Sequence, residues 1–284
     1  MTSTLSGLPR HVLPALQELW SDLPWHRARE AHGAFHHVLL LPPVAALRIR
    51  TGTAHVSAID REHSVAAALS AARLRVPRPI REPVHATGWS AMAVEFVPGA
   101  GREARTWEED RSGLLAMLES LADAGRSHPE LEESLPAARA WCGGEEWPDL
   151  VDELTGPDAT VRAAARRRVD AVLEVEATAE RSPIHGDLGW HNILEEPTRG
   201  PMLIDVDHAA WADPAMDIAP LLAVYGRRAM SADIPDRTLD RAAAHRRVLS
   251  LQVAVAAELR GDVRLRDHAL QNFARRIRSR DPQW

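Results

Sequence analysis

Lysine is missing from this 284-residue chain, whose 34 basic residues are all arginine. Its absence excludes Schiff-base chemistry and the lysine-bearing phosphate loop of P-loop enzymes. Cysteine occurs once, at Cys142, so an internal disulfide is impossible and a thiolate metal site has too few ligands. The expected setting is reducing and cytoplasmic. No run approaches the about 18 apolar residues that a membrane helix needs. The first twenty residues lack the basic start, apolar core and cleavage site of a secretory leader. Phenylalanine and tyrosine are scarce, at three and one, while tryptophan occurs nine times and is expected to supply core or interface anchors.

What is present is an ordinary globular composition, 45% hydrophobic and 26% charged. It excludes a disordered chain, a collagen-like chain and a coiled coil. The length suits one large or two modest domains with a substantial core. Charge is unevenly spread. Residues 1–97 carry 10 arginines and 7 acids, whereas residues 98–160 carry 5 arginines and 15 acids. The basic face that nucleic-acid binding requires is absent. The acidic stretch would attract a cationic small molecule, or it is simply a solvated helical face; the sequence leaves both open.

The hydropathy pattern predicts α/β structure up to residue 97 and helices beyond it. Residues 10–20 read as a helix. Strands are expected at 35–41 and 44–50, joined across Pro42-Pro43, and a buried strand at 89–97. A helix is expected at 60–72 with Asp60 as its cap. The Pro98-Gly99-Ala100-Gly101 break sets the domain boundary, giving 1–97 and 98–284. Helices follow at 107–126, 158–180, 215–225 and 238–278, with 127–157 irregular.

Three segments carry chemistry. In His185-Gly186-Asp187-Leu188-Gly189-Trp190-His191-Asn192, the histidine, Asp187, leucine and Asn192 fall at the offsets of a kinase catalytic loop, with glycine where arginine is usual. That spacing lets one carboxylate take a proton from an acceptor hydroxyl while an amide oxygen serves a metal. The apolar run ending in Asp205, with Asp207 two residues on, delivers a hard oxygen ligand suited to Mg²⁺. Asp217, opening a helix after Asp213-Pro214, is placed to accept backbone amides of the catalytic loop. His185 is expected to be structural.

Together these segments resemble the aminoglycoside phosphotransferase family. The resemblance implies an α+β, protein-kinase-like two-lobed fold, with a small β-rich N-lobe at 1–97 and a larger helical C-lobe at 98–284. It implies an enzyme that phosphorylates a hydroxyl of a small molecule using ATP (or GTP) and Mg²⁺, bound at a hinge. Asp187 becomes the catalytic base, and Asn192 and Asp205 the metal ligands. By the same resemblance Val94 lines the nucleotide pocket, and the Glu95 carbonyl and Val97 amide pair with the base. Glu62 would pair with a strand cation. That cation is normally lysine; Arg48 is the best substitute, with Arg50 second on the same strand face. Only Gly33 stands where a glycine-rich loop belongs. A narrower resemblance is to the viomycin and capreomycin phosphotransferases, carried by Gly33-Ala34-Phe35-His36-His37-Val38, Leu251-Gln252 and Gly261-Asp262. It directs the substrate expectation to a cationic antibiotic. Asp207, Trp190, Asp213, Trp211, Glu145 and Glu146 are the candidates to contact it, each with a purely structural alternative. No nucleic-acid or membrane partner is expected, and the chain is expected as a monomer or homodimer. Two rivals remain: a metabolite kinase acting on a sugar, homoserine or an amino alcohol, and a kinase-like protein without catalysis.

Overall fold

The computed structural model describes residues 8–31, 36–52, 55–156 and 158–279. Gly33, Ala34 and Phe35, expected near the glycine-rich loop, lie outside the described residues. The chain divides into two compact units, Met1–Glu103 with Trp190–Asp207, and Ala104–Gly189 with His208–Trp284.

The first unit opens with helix α1 (Val12–Leu19), followed by strands β1 (Arg29–Ala31), β2 (His37–Leu41) and β3 (Ala45–Thr51). Helix α2 (His55–Ala71) and strands β4 (Val84–Ala86) and β5 (Trp89–Glu95) complete an antiparallel sheet of order β1-β2-β3-β5-β4. Pro42 and Pro43 turn the chain, and the Val44 amide closes the turn on the Leu41 carbonyl at 3.0 Å. The two-residue period of β3 then sorts its side chains. Leu47 and Ile49 are fully buried in a core with Val12, Leu16 and Trp20 of α1. Arg48 and Arg50, of opposite parity, meet Glu62 of α2. Helix α2 starts five residues before the expected 60. Ile59 lies one turn ahead of Glu62 and extends the buried stripe Glu62, Val65, Ala66 and Leu69. Asp60 therefore sits inside the helix rather than capping it, and faces His85 at 3.0 Å.

The second unit begins with α3 (Trp107–Ser127), α4 (Leu131–Ser134), α5 (Trp147–Leu154), α6 (Ala159–Ala177) and strand β6 (Ser182–Ile184). The region 127–157 thus holds two helices where irregular chain was expected. The chain returns to the first unit for the hairpin β7 (Ile193–Glu196) and β8 (Gly200–Leu203). This departs from the expectation that everything after residue 98 forms one lobe. The cause is backbone pairing: the Leu203 amide bonds the Arg75 carbonyl at 2.9 Å, and the Glu195 amide bonds that of Ala100 at 3.2 Å. The second unit closes with β9 (Ala210–Ala212), α7 (Ala215–Tyr225), α8 (Arg227–Met230), α9 (Asp236–Leu259) and α10 (Val263–Ser279). The single helical region expected at 238–278 breaks at Gly261, whose φ of 71° ends α9. Helix α9 is the hub, packed by α5, α6, α7 and α10 around buried Val248, Leu251 and Val255.

Much of the acidity of 98–160 is used locally. Glu109 completes a capping box with Thr106, Asp158 caps α6, Asp152 pairs with Arg166, and Asp110 is buried under the Tyr225 hydroxyl at 2.6 Å. No described helix is long and apolar enough to cross a membrane.

Candidate active site

In the first unit, two arginines and three carboxylates interlock. The Arg48 guanidinium contacts Glu62, which is 2% exposed, and its Nη2 donates to Asp205 Oδ1 at 2.6 Å. Arg50 Nη2 donates to Glu62 Oε2 at 3.3 Å and to Asp207 Oδ2 at 2.8 Å. The expected pairing of Glu62 with Arg48 is therefore present, and Arg50 shares the same carboxylate. Asp207, expected at the substrate, instead receives Arg50.

The buried charges set one another's titration. Burial pushes the Glu62 carboxyl up, with Arg48 and Arg50 opposing and the two aspartates reinforcing. Burial alone would lower Arg48, but Glu62, Asp205 and Asp207 together raise it. His36, whose Nδ1 lies 3.2 Å from Arg48 Nη2, is lowered to about 2 by burial and then by Arg48. It is a neutral imidazole and can present a lone pair.

Asn192 and Asp205 belong to the same unit, and the Ile204 amide donates to the Asn192 carbonyl at 2.9 Å, tying the two positions across the hairpin's open end. Asp205 has φ 61°, a left-handed backbone that an aspartate tolerates better than a branched residue. Ligand atoms of His36, Asp205 and Asp207 lie within 4.8 Å of one another. The two carboxylates are hard ligands suited to Mg²⁺, and the imidazole beside them adds a donor that transition metals favour. His36 was not placed among the metal ligands from sequence, because His36-His37 stands without carboxylate or cysteine partners at zinc spacing.

At the end of β5, Val94 and Val97 are buried, at 8% and 6% exposure. The Glu95 amide bonds the Arg78 carbonyl and the Phe96 amide that of Val44. Neither bond uses the Glu95 carbonyl or the Val97 amide assigned to the base. The Glu95 side chain bonds Arg199 at 3.0 Å. Trp190 is only 6% exposed, and the Arg102 guanidinium lies 3.3 Å over its ring. This burial and packing match the structural alternative for Trp190 rather than substrate contact.

In the second unit, Asp187 is half-buried and its amide donates to His185 Nδ1 at 3.3 Å. His185, expected to be structural, is 1% exposed. Asp217 accepts the His185 amide at 2.8 Å and the Gly186 amide at 2.7 Å, which fixes the backbone before Asp187. Burial pushes the Asp217 carboxyl up, and His185 and these amides only partly offset it. Gly186 explains the departure from the usual arginine. Its φ is 84°, and a Cβ there would lie 2.2 Å from the His208 carbonyl oxygen.

Asp213 is a second correction among the substrate candidates. It is 3% exposed, and its carboxylate accepts the Ala215 amide at 2.9 Å, Arg241 Nε at 2.9 Å and His245 Nε2 at 3.2 Å. Burial alone would raise it, but the hydrogen bonds from His245, Ala215 and Arg241 outweigh that and hold it below the ordinary range. Trp211, in β9, pairs with Pro183, and its indole rests near Gly125 of α3, a packing role. Glu145 and Glu146 stand exposed in the turn Gly144–Glu146. Sequence reasoning missed Trp141, which stacks on His208 with centroids 4.7 Å apart; nothing in the pattern distinguished it from the other tryptophans.

Comparison with known proteins identifies the family and the fold. The profile of the phosphotransferase enzyme family (APH) matches residues 44–252. No curated protein matches the chain. Among solved structures, the GDP complex of aminoglycoside 2'-phosphotransferase-IIIa superposes with a TM-score of 0.71 at 14% identity, covering 95% of this chain and 98% of that one. The streptomycin-ATP-APH(2")-IIa ternary complex gives 0.63 at 12% identity, covering 98% and 99%. Spectinomycin phosphotransferase APH(9)-Ia, in complex with ADP and spectinomycin, gives 0.59 at 13%, covering 92% and 93%. At such identities the likeness establishes the fold, an α+β protein-kinase-like architecture with a small β-rich lobe and a larger helical one.

Proposed function

The chain belongs to the phosphotransferase enzyme family and is a small-molecule kinase; on that premise we propose that it moves the terminal phosphoryl group of ATP or GTP to a hydroxyl of a cationic antibiotic. The observation that carries the reading is Arg48, held by Glu62 and Asp205 together. A kinase needs a strand cation paired with its helix carboxylate, close to the aspartate that serves the metal. Arginine fills that place in a chain without lysine, and its planar donors suit phosphate oxygens. This speaks against a protein that has lost catalysis. Solved relatives named for GDP, ADP and ATP complexes support nucleotide use.

In this reading Asp187 accepts the proton of the attacking hydroxyl, and Asp217 holds the loop that presents it. Asn192 and Asp205 hold Mg²⁺, which when bound neutralises phosphate charge. Val94, Val97 and the Glu95 carbonyl seat the base. Positioning and charge neutralisation supply most of the rate. Glu145 and Glu146 are exposed and acidic and are assigned to substrate ammonium groups. Kanamycin, streptomycin and spectinomycin complexes among the fold's solved members favour this substrate class. The narrower viomycin and capreomycin assignment rests on the short sequence resemblance alone. A metabolite substrate is the second reading, favoured by the local use of Glu109, Asp110, Asp152 and Asp158, which lessens the acidity left for a cation.

The test is incubation with Mg·ATP or Mg·GTP and a panel of viomycin, capreomycin, several aminoglycosides, homoserine and choline, read by mass spectrometry. Gain of one phosphoryl group on a cationic antibiotic is the expected result. Gain only on homoserine or choline overturns the antibiotic assignment.

A further inference from the structure

The donors gathered around Arg48 are those of a cation site, and a guanidinium nitrogen sits among them. Arg48 Nη2 lies 2.6 Å from Asp205 Oδ1, 3.2 Å from His36 Nδ1 and 3.9 Å from Asp207 Oδ2. Those three side chains place their ligand atoms within 4.8 Å of one another. A divalent ion bound by the same atoms would need the space that Arg48 Nη2 fills. Arg50 is arranged differently. It reaches Asp207 and Glu62, so it closes the flank of the cluster.

We propose that Arg48 is the resident cation of a His36–Asp205–Asp207 site, and that Arg48 and a divalent metal exclude one another there. Arg48 leaves this seat as metal and nucleotide enter together, with Glu62 retaining the guanidinium's other edge while Nη2 turns to phosphate oxygens. The exchange is a ligand swap: no bond within a side chain changes. One positive charge leaves the three donors, two arrive, and the nucleotide phosphates offset the surplus. His36 thereby becomes a ligand beyond the Asn192 and Asp205 pair. The inference rests on the reading of Asp205 as a metal-binding aspartate.

The consequence is that metal binds poorly until nucleotide draws Arg48 away. Mn²⁺ affinity, read by electron paramagnetic resonance without nucleotide, tests this directly. Arg48→Met is expected to bind Mn²⁺ at least about tenfold more tightly than the wild type, the ratio that about 1.4 kcal/mol of removed competition produces. Arg50→Gln removes the same charge beside the seat, and is expected to gain much less. Adding His36→Ala to Arg48→Met should return the affinity towards that of the wild type. Glu62 keeps Arg50 when Arg48 is lost. If Arg48→Met nevertheless fails to fold, the double variant Arg48→Met with Glu62→Gln removes both buried charges and carries the same expectation. Unchanged or weaker Mn²⁺ binding in the folded variant overturns the proposal. Equal gains in the Arg48 and Arg50 variants overturn it too, because general charge would then suffice. The kinase reading fails separately: Mn²⁺ binding as expected, with no compound phosphorylated, leaves the exchange standing and removes the substrate assignment.

Discussion

Replacing Gly186 by alanine should disable the enzyme while a matched glycine replacement does not. Gly186 and Gly88 share a left-handed backbone, φ 84° and φ 81°. For either, an alanine side chain costs about 1–2 kcal/mol from backbone sterics alone. Gly88 has nothing within 4 Å of the new methyl group, whereas at Gly186 that methyl would lie 2.2 Å from the His208 carbonyl oxygen. Ordinary contact begins near 3.4 Å, so the catalytic loop or the His208 backbone must move by about 1 Å. Overpacking of that kind adds about 1–3 kcal/mol. The loop is also pinned by Asp217 through the His185 and Gly186 amides, so movement strains those bonds and carries Asp187 along. A misplacement of about 1 Å costs on the order of 10²-fold in rate. Thermal denaturation and steady-state turnover of both variants supply the comparison. Gly88→Ala should melt lower by about 2–4 °C for each kcal/mol lost and keep full turnover. Gly186→Ala should melt lower still and lose about two orders of magnitude in turnover per folded molecule. If the two variants turn over alike, the contact between Gly186 and His208 does not position Asp187.

The remaining predictions concern charge and burial. Asp187→Asn should cut turnover by about 10²–10⁴ while nucleotide affinity stays at the wild-type value, measured by equilibrium binding. Asp217→Ala strips acceptors from two amides and should cost about 1–3 kcal/mol for each in denaturant unfolding. Asp213 is held below its ordinary range, so its contribution to stability is complete above about pH 4 and disappears as pH falls through its folded value. Asp213→Asn should therefore flatten the acid limb of a stability-against-pH curve; an unaltered limb would show that another carboxylate governs it. Burial pushes the Cys142 thiol up to about 12, so a thiol reagent near neutral pH should titrate none in the native protein and one equivalent after denaturation.

The loop around Asp187 was legible in sequence because its contacts depend on local spacing. Asp187, Asn192 and Asp205 lie within twenty residues, and the Asp217 contact with the loop amides follows from the same stretch. The β2–β3 hairpin was legible too, because Pro42-Pro43 and a two-residue alternation are enough to write it. Glu62 and Arg48 could be named as partners only through the family resemblance. Local pattern also failed at α2, where the buried stripe reached back to Ile59 past a plausible cap at Asp60.

What only the tertiary structure decided is which charged groups are already taken. In sequence Asp207 and Asp213 were open to either a substrate or a local structural role; Arg50 from β3 and Arg241 with His245 from α9 hold them. Trp190 and Trp211 could be substrate contacts or buried anchors in sequence, and they pack against Arg102 and beside Gly125. These partners lie from 28 to 157 residues away along the chain, from Pro183 against Trp211 to Arg50 against Asp207. Spacing determines which side chains share a loop or a strand face, since backbone geometry repeats over a few residues. It does not determine which distant face arrives to meet them. Burial makes that meeting consequential, because a charge removed from water must find a partner.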